Sequence, residues 1–144
     1  MGQSKAIGTA AETAVVKAAT AYGLHAERRA LKGSGDDGDV HIKLESGYTL
    51  VVEVKSGEQT RNPSWAQLSK WWNEAVLEAS RVQHGIPVLV VRRWGSGQAA
   101  DWWAYISLLG LPRLGLVAGA TGWERNIRVQ LRFGNLLGAI RGAE

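Results

Sequence analysis

The 144-residue chain predicts an α/β domain: a central mixed β-sheet flanked by helices. Three observations carry this. Two strand-like runs, 39–44 and 48–57, meet across the short turn Glu45-Ser46-Gly47 as a hairpin. A long segment after Pro63 repeats apolar residues at helical spacing. The run Ile86–Arg93 is almost uniformly apolar until its end, as a strand covered on both faces should be. The order helix, three strands, long helix, strand, strand gives one mixed sheet, and residues 1–144 are one domain's worth of chain.

The first helix is expected to start at Thr9, an N-cap with Glu12 three residues on as its capping-box partner. Ile7, Ala11, Val15, Ala18 and Tyr22 form its apolar stripe, and Gly23 suits its end. Leu24–Leu31 reads as the first strand. Of its adjacent Arg28 and Arg29, only one can share the face of the strand around Glu53. Residues 32–38, Lys-Gly-Ser-Gly-Asp-Asp-Gly, hold G-x-G-x-x-G spacing. That fingerprint needs a following helix, and here a strand follows while Asp36 and Asp37 would repel a phosphate. The stretch is read instead as a flexible loop leading into the 39–44 strand. Asp36 and Asp37 are alternative carboxylates, but the hairpin register favours Asp39.

Asn62-Pro63 reads as an N-cap with proline at the first helical position, opening a helix to about His84. Trp65, Leu68, Trp72, Ala75, Val76, Ala79 and Val82 form its core stripe. Trp71 falls off the stripe's centre and is expected at the surface, and Gln67 and Lys70 lie near the helix start, where a solvated face or a phosphate contact would explain them. After Ile86–Arg93, a turn at Trp94–Gly97 leads to a strand at Asp101–Ile106. Residues 108–122 give no clean period, 126–133 read as a strand, and 135–141 as a short helix. Arg125, Arg128, Arg132 and Arg141 meet no acidic residue in that last segment before Arg141.

The strand Tyr48–Gly57 carries charges. Residues two apart share a face, so Glu53 and Lys55 point one way while Leu50, Val52 and Val54 fill the other. A wet, charged spot on a buried strand results. The hairpin brings Asp39, fourteen residues before Glu53, opposite Glu53 or Lys55. Paired carboxylates repel unless a cation lies between them, and an oxygen-rich site with few ligands suits Mg²⁺, with Mn²⁺ able to substitute. Such an ion polarises a phosphodiester and lowers the pKa of a bound water. A cross-strand salt bridge on an exposed face is the alternative account of Glu53 and Lys55.

Gly38-Asp39 followed by Glu53-Val54-Lys55 resembles the PD-(D/E)XK nuclease superfamily, and within it the archaeal-type and phage Holliday-junction resolvases. The likeness covers about the first 95 residues, and Gly38 stands where the motif often has proline. The resemblance implies a restriction-endonuclease-like core and a Mg²⁺-dependent endonuclease acting in DNA recombination and repair. It implies that Asp39 and Glu53 hold the metal with the Val54 carbonyl, that Lys55 positions water, and that Glu12 is a further acidic ligand. Arg28 or Arg29, Lys32, Ser34 and Gln67 would contact DNA. The implied partners are four-way DNA junctions and a second copy of the chain, in the cytoplasm of a bacterial or phage-infected cell. Another nuclease of the superfamily, or a non-catalytic DNA-binding module, are the alternatives.

Composition narrows the rest. Net charge is +4, with 17 Lys+Arg against 13 Asp+Glu, which suits a polyanionic partner without requiring one. There is no cysteine, so disulfides and thiolate zinc sites are excluded. The three histidines, His25, His41 and His84, are scattered without metal-ligand spacing. No apolar run approaches the ~18 residues of a membrane span, so no membrane partner is expected.

Overall fold

The computed structural model describes residues 2–29, 38–107, 110, 114 and 128–144. Its elements in chain order are α1 (Gly2–Ala21), β1 (His25–Arg28), β2 (Val40–Lys43), β3 (Thr49–Lys55), α2 (Trp65–Ala79), β4 (Gly85–Val91), β5 (Trp103–Ser107), β6 (Arg128–Arg132) and α3 (Phe133–Ala143). The strands form one six-stranded sheet in sequence order. Only β3 and β4, joined across α2, run parallel, and every other neighbouring pair is antiparallel. The expected α/β mixed sheet flanked by helices is therefore present.

Strand alternation sorts the core into two layers. Leu50, Val52, Ile86, Val88, Val90, Ala104 and Ile106 face α1 and α3, meeting Ala11, Val15, Phe133 and Leu137. On the other face Leu89, Val91 and Tyr105 pack against Trp71, Trp72 and Ala75 of α2. β4 is buried on both faces, as its unbroken apolar run predicted.

Several boundaries and faces differ from expectation. α1 begins at Gly2, so Thr9 lies inside it; its carbonyl accepts from the Thr13 hydroxyl and Glu12 has no capping box to close. Ala11, Val15 and Ala19 form the buried seam, whereas Ile7 and Tyr22 are exposed. Ser64 rather than Asn62 caps α2, accepting from the Gln67 N–H at 3.1 Å, and the helix stops at Ala79. Its buried face is rotated from the expected stripe: Trp71 is 3% exposed, Trp65 75%, and Val76 is exposed as well. Adjacent residues lie ~100° apart on a helix, so a face wide enough for both Trp71 and Trp72 must turn Trp65 and Val76 outward. β4 ends at Val91, leaving Arg92 and Arg93 beyond it, and β5 starts at Trp103 after a 3₁₀ turn at Ala99–Asp101. Of the loop carrying Lys32 and Ser34, residues 30–37 lie outside the described residues, as does most of 108–122. No helix among the described residues is long and apolar enough to cross a membrane.

Candidate active site

Asp39 owes its position to the hairpin. The β2–β3 register pairs Val40 with Val52, and the Asp39 N–H donates to the Val52 carbonyl at 3.0 Å, which sets Asp39 level with Glu53 at the mouth of the strand pair. Its Oδ2 accepts from the Val54 N–H at 2.8 Å. Gly38 makes this entry possible. Its φ is +96°, and a Cβ there would lie 2.7 Å from Val51 Cγ1. Proline, locked near φ −65°, has no access to that conformation.

Glu53 projects toward α2 and is 6% exposed, so the site is a buried charge and not the wet spot that the strand pattern implied. Lys55, on the same face, places its Nζ 3.4 Å from Glu53 Oε1 and 3.0 Å from Glu74 Oε2. Glu78, buried on α2 one turn after Glu74, completes the group against Glu53. Asp39, Glu53 and Lys55 thus converge as the sequence predicted. Glu74 and Glu78 were missed, although Glu78 stands seven residues after Trp71 and falls on the same buried helical face.

Electrostatics at this point are unfavourable for anions. Burial pushes Asp39 up to about 8, and the charge of Glu53 adds to the rise against the opposing Val54 amide. Burial also pushes Glu53 up to about 8, with Glu78 reinforcing it and Lys55 opposing. Burial works against the Lys55 ammonium, but Glu53 and Glu74 outweigh it and hold its pKa above the ordinary lysine value. Glu53 Oε2 is buried with no hydrogen-bond partner among the described residues. Two adjacent carboxylates forced toward protonation, one with an orphaned buried oxygen, fit a small hard cation that would replace the protons. Among the described residues no three His, Asp or Glu side chains form a ready ligand group. The acids run as a chain from Glu12 past Asp39 and Glu53 to Glu78, so a cation held by Asp39 and Glu53 would keep water or phosphate oxygens as further ligands, as Mg²⁺ prefers.

The flanking candidates separate. Glu12 Oε2 lies 2.9 Å from Arg28 Nη2, and its negative charge adds to the upward push on Asp39, so this glutamate borders the site. Arg28 pairs with Val40 in register and faces α1, whereas Arg29 falls on the Asp39 face, its N–H donating to the Asp39 carbonyl at 2.8 Å and its Nη1 3.5 Å from Glu27. Gln67 lies two turns before Glu74, away from the carboxylates, and its N–H serves the helix cap. His41, opposite Val51, is buried on the α2 side of β2.

With this geometry in hand, comparison with protein-family models and with curated proteins gave no match to the chain.

Proposed function

We propose that the protein is a metal-dependent DNA endonuclease in which Asp39, Glu53 and Lys55 carry the chemistry. The observation that supports this most is the convergence at one end of β3 of half-buried Asp39, buried Glu53, both pushed toward protonation, and a lysine held by Glu53 and Glu74. Asp39, oriented by the Val54 N–H, and Glu53, with its free Oε2, would hold Mg²⁺ or Mn²⁺ together with the Val54 carbonyl. When bound, such an ion supplies a Lewis acid for the phosphodiester and a water of lowered pKa.

Lys55 stays protonated at neutral pH because its pKa is raised, so it acts as a donor and not as a base. Its N–H groups orient the attacking water and stabilise negative charge developing on the phosphoryl oxygens. Glu74 fixes the ammonium in place. Arg28, paired with Glu12 on the α1 side of the strand, would meet a phosphate only beyond the edge of the site.

Four-way junctions are the substrate that the family resemblance implies, and a C₂ dimer would supply the two symmetric cuts needed to resolve one. The test is incubation of a labelled four-way junction with and without Mg²⁺, beside linear duplex and single-stranded controls. Cleavage of the junction that needs Mg²⁺ and is lost in Glu53→Ala supports the assignment. Equal cutting by parent and variant contradicts it. Cleavage that favours linear duplex would direct the reading to another nuclease of this kind.

A further inference from the structure

Acidic residues thin out beyond α2. Residues 79–144 contain eight arginines and only three acids, Asp101, Glu124 and Glu144. The register collects several of these arginines on one face. Arg128, Gln130 and Arg132 stand opposite Ser107, Tyr105 and Trp103, so the edge strand β6 presents them on the α2 side of the sheet. Arg93, just past the end of β4, lies over the Trp103 ring at 5.3 Å. Arg92 and Arg61 both rest on Trp94, at 4.7 and 4.1 Å from the ring centroid. This Trp94 corner adjoins the candidate active site, because the Arg92 N–H donates to the Lys55 carbonyl at 2.9 Å.

The aromatic rings here carry guanidinium groups: two on Trp94, one on Trp103, and Arg128 at 5.7 Å over the exposed Trp65. Binders of unpaired strands offer bare rings on which bases stack. Rings already occupied by arginines instead hold those side chains flat and pre-ordered, with in-plane N–H donors left for phosphate oxygens. Arg92 Nε is itself buried without a hydrogen-bond partner among the described residues. The face reaches from the β3 end to the β6 edge, three strand spacings or about 14 Å.

We propose that the end of the sheet running from Lys55 past Val91 and Trp103 to Arg132, with the β6 edge beyond it and beside rather than beneath α2, is a track for the phosphate backbone of duplex DNA, leading away from the scissile bond past Arg92, Arg93 and Arg132 toward Arg128. The inference rests on the nuclease reading for its orientation toward Lys55, but its test needs no catalysis. Binding of a fluorescently labelled 20-base-pair duplex is followed by anisotropy in EDTA across a range of salt concentrations. The variants are the double substitution Arg93→Gln/Arg132→Gln and, as a control on exposed α1, Lys17→Gln, with circular dichroism to verify that each is folded.

Each lost phosphate contact lowers the slope of log affinity against log salt by about 0.9. The double variant should therefore lose about two units of slope and bind at least about tenfold more weakly near physiological salt, while Lys17→Gln keeps the parent slope. A 20-nucleotide single strand should bind the parent less tightly than the duplex. An unchanged slope in the folded double variant, no binding by the parent, or preference for the single strand would overturn the track. Mg²⁺-dependent junction cleavage by the same parent preparation reads the nuclease assignment separately, so the two can fail independently.

Discussion

The two ends of the sheet solve opposite electrostatic problems. On the β2–β3 side, half-buried Asp39 and buried Glu53 stand side by side with Glu78 behind them, and loss of solvent drives both toward protonation, helped at Asp39 by the charge of Glu53 and at Glu53 by Glu78. On the β4–β6 side, arginines lie on tryptophan rings, partly exposed, with few acids near them. The first region stores an unfavourable charge arrangement that only a proton or cation relieves, and the second offers positive charge at little cost. An enzyme that must bring a polyanion to a cluster of carboxylates needs both, since the basic flank offsets the repulsion that the acids alone would present.

Neutralising an acid of the first region should separate activity from stability. Glu53→Gln is expected to slow Mg²⁺-dependent cleavage by about 10²–10³-fold while raising the melting temperature of the metal-free protein at pH 8. Arginine-to-glutamine changes on the flank should leave that temperature unchanged. A Glu53→Gln protein that melts lower than its parent in EDTA would remove the contrast. Gly38→Ala tests the backbone that feeds Asp39 into the site: positive φ and the close Val51 methyl should cost about 1–3 kcal/mol in urea unfolding.

The pH dependence follows from the same burial. In the fold Asp39 and Glu53 keep their protons up to about 8, whereas unfolded they release them at the ordinary carboxylate values of 3.8 and 4.5. The folded chain thus binds more protons between those limits, and stability in EDTA should be full below about pH 4 and fall as pH rises through about 8. Denaturant midpoints that climb over this range would contradict the assignment. The smallest effect is expected at Glu74→Gln, which loosens Lys55. Its carboxylate is 39% exposed, so a surface-type ion pair worth up to about 1 kcal/mol gives roughly a fivefold loss in cleavage rate.

Much of the first region was legible in the chain because hairpins are local. A tight turn at Gly47, with φ +93°, and strict two-residue alternation are enough to bring Asp39 level with Glu53. What was not legible depends on the phase of a helix. Whether Trp65 or Trp71 is buried is decided by the groove that Leu89, Val91 and Tyr105 offer to α2, and strands distant in sequence build that groove. Glu74 and Glu78 were hidden for the same reason: an acid on a helix reads as solvated until the opposing strand supplies Lys55 and Glu53. Thr9 before Glu12 offers a capping box beside the ligand role that the resemblance implies, but the helix extends a further seven residues upstream, to Gly2, so the capping alternative falls. The β6 arginines showed as a basic run, but their gathering on one face with Trp103 needed the β5–β6 register.

Calorimetric titration of the metal-free protein with Mg²⁺ at pH 7, repeated in two buffers of different ionisation enthalpy, tests the buried pair most directly. The account predicts saturable binding with release of protons displaced from Asp39 and Glu53, both abolished in Asp39→Asn/Glu53→Gln. Absence of binding, or binding that persists undiminished in the double variant, would contradict it.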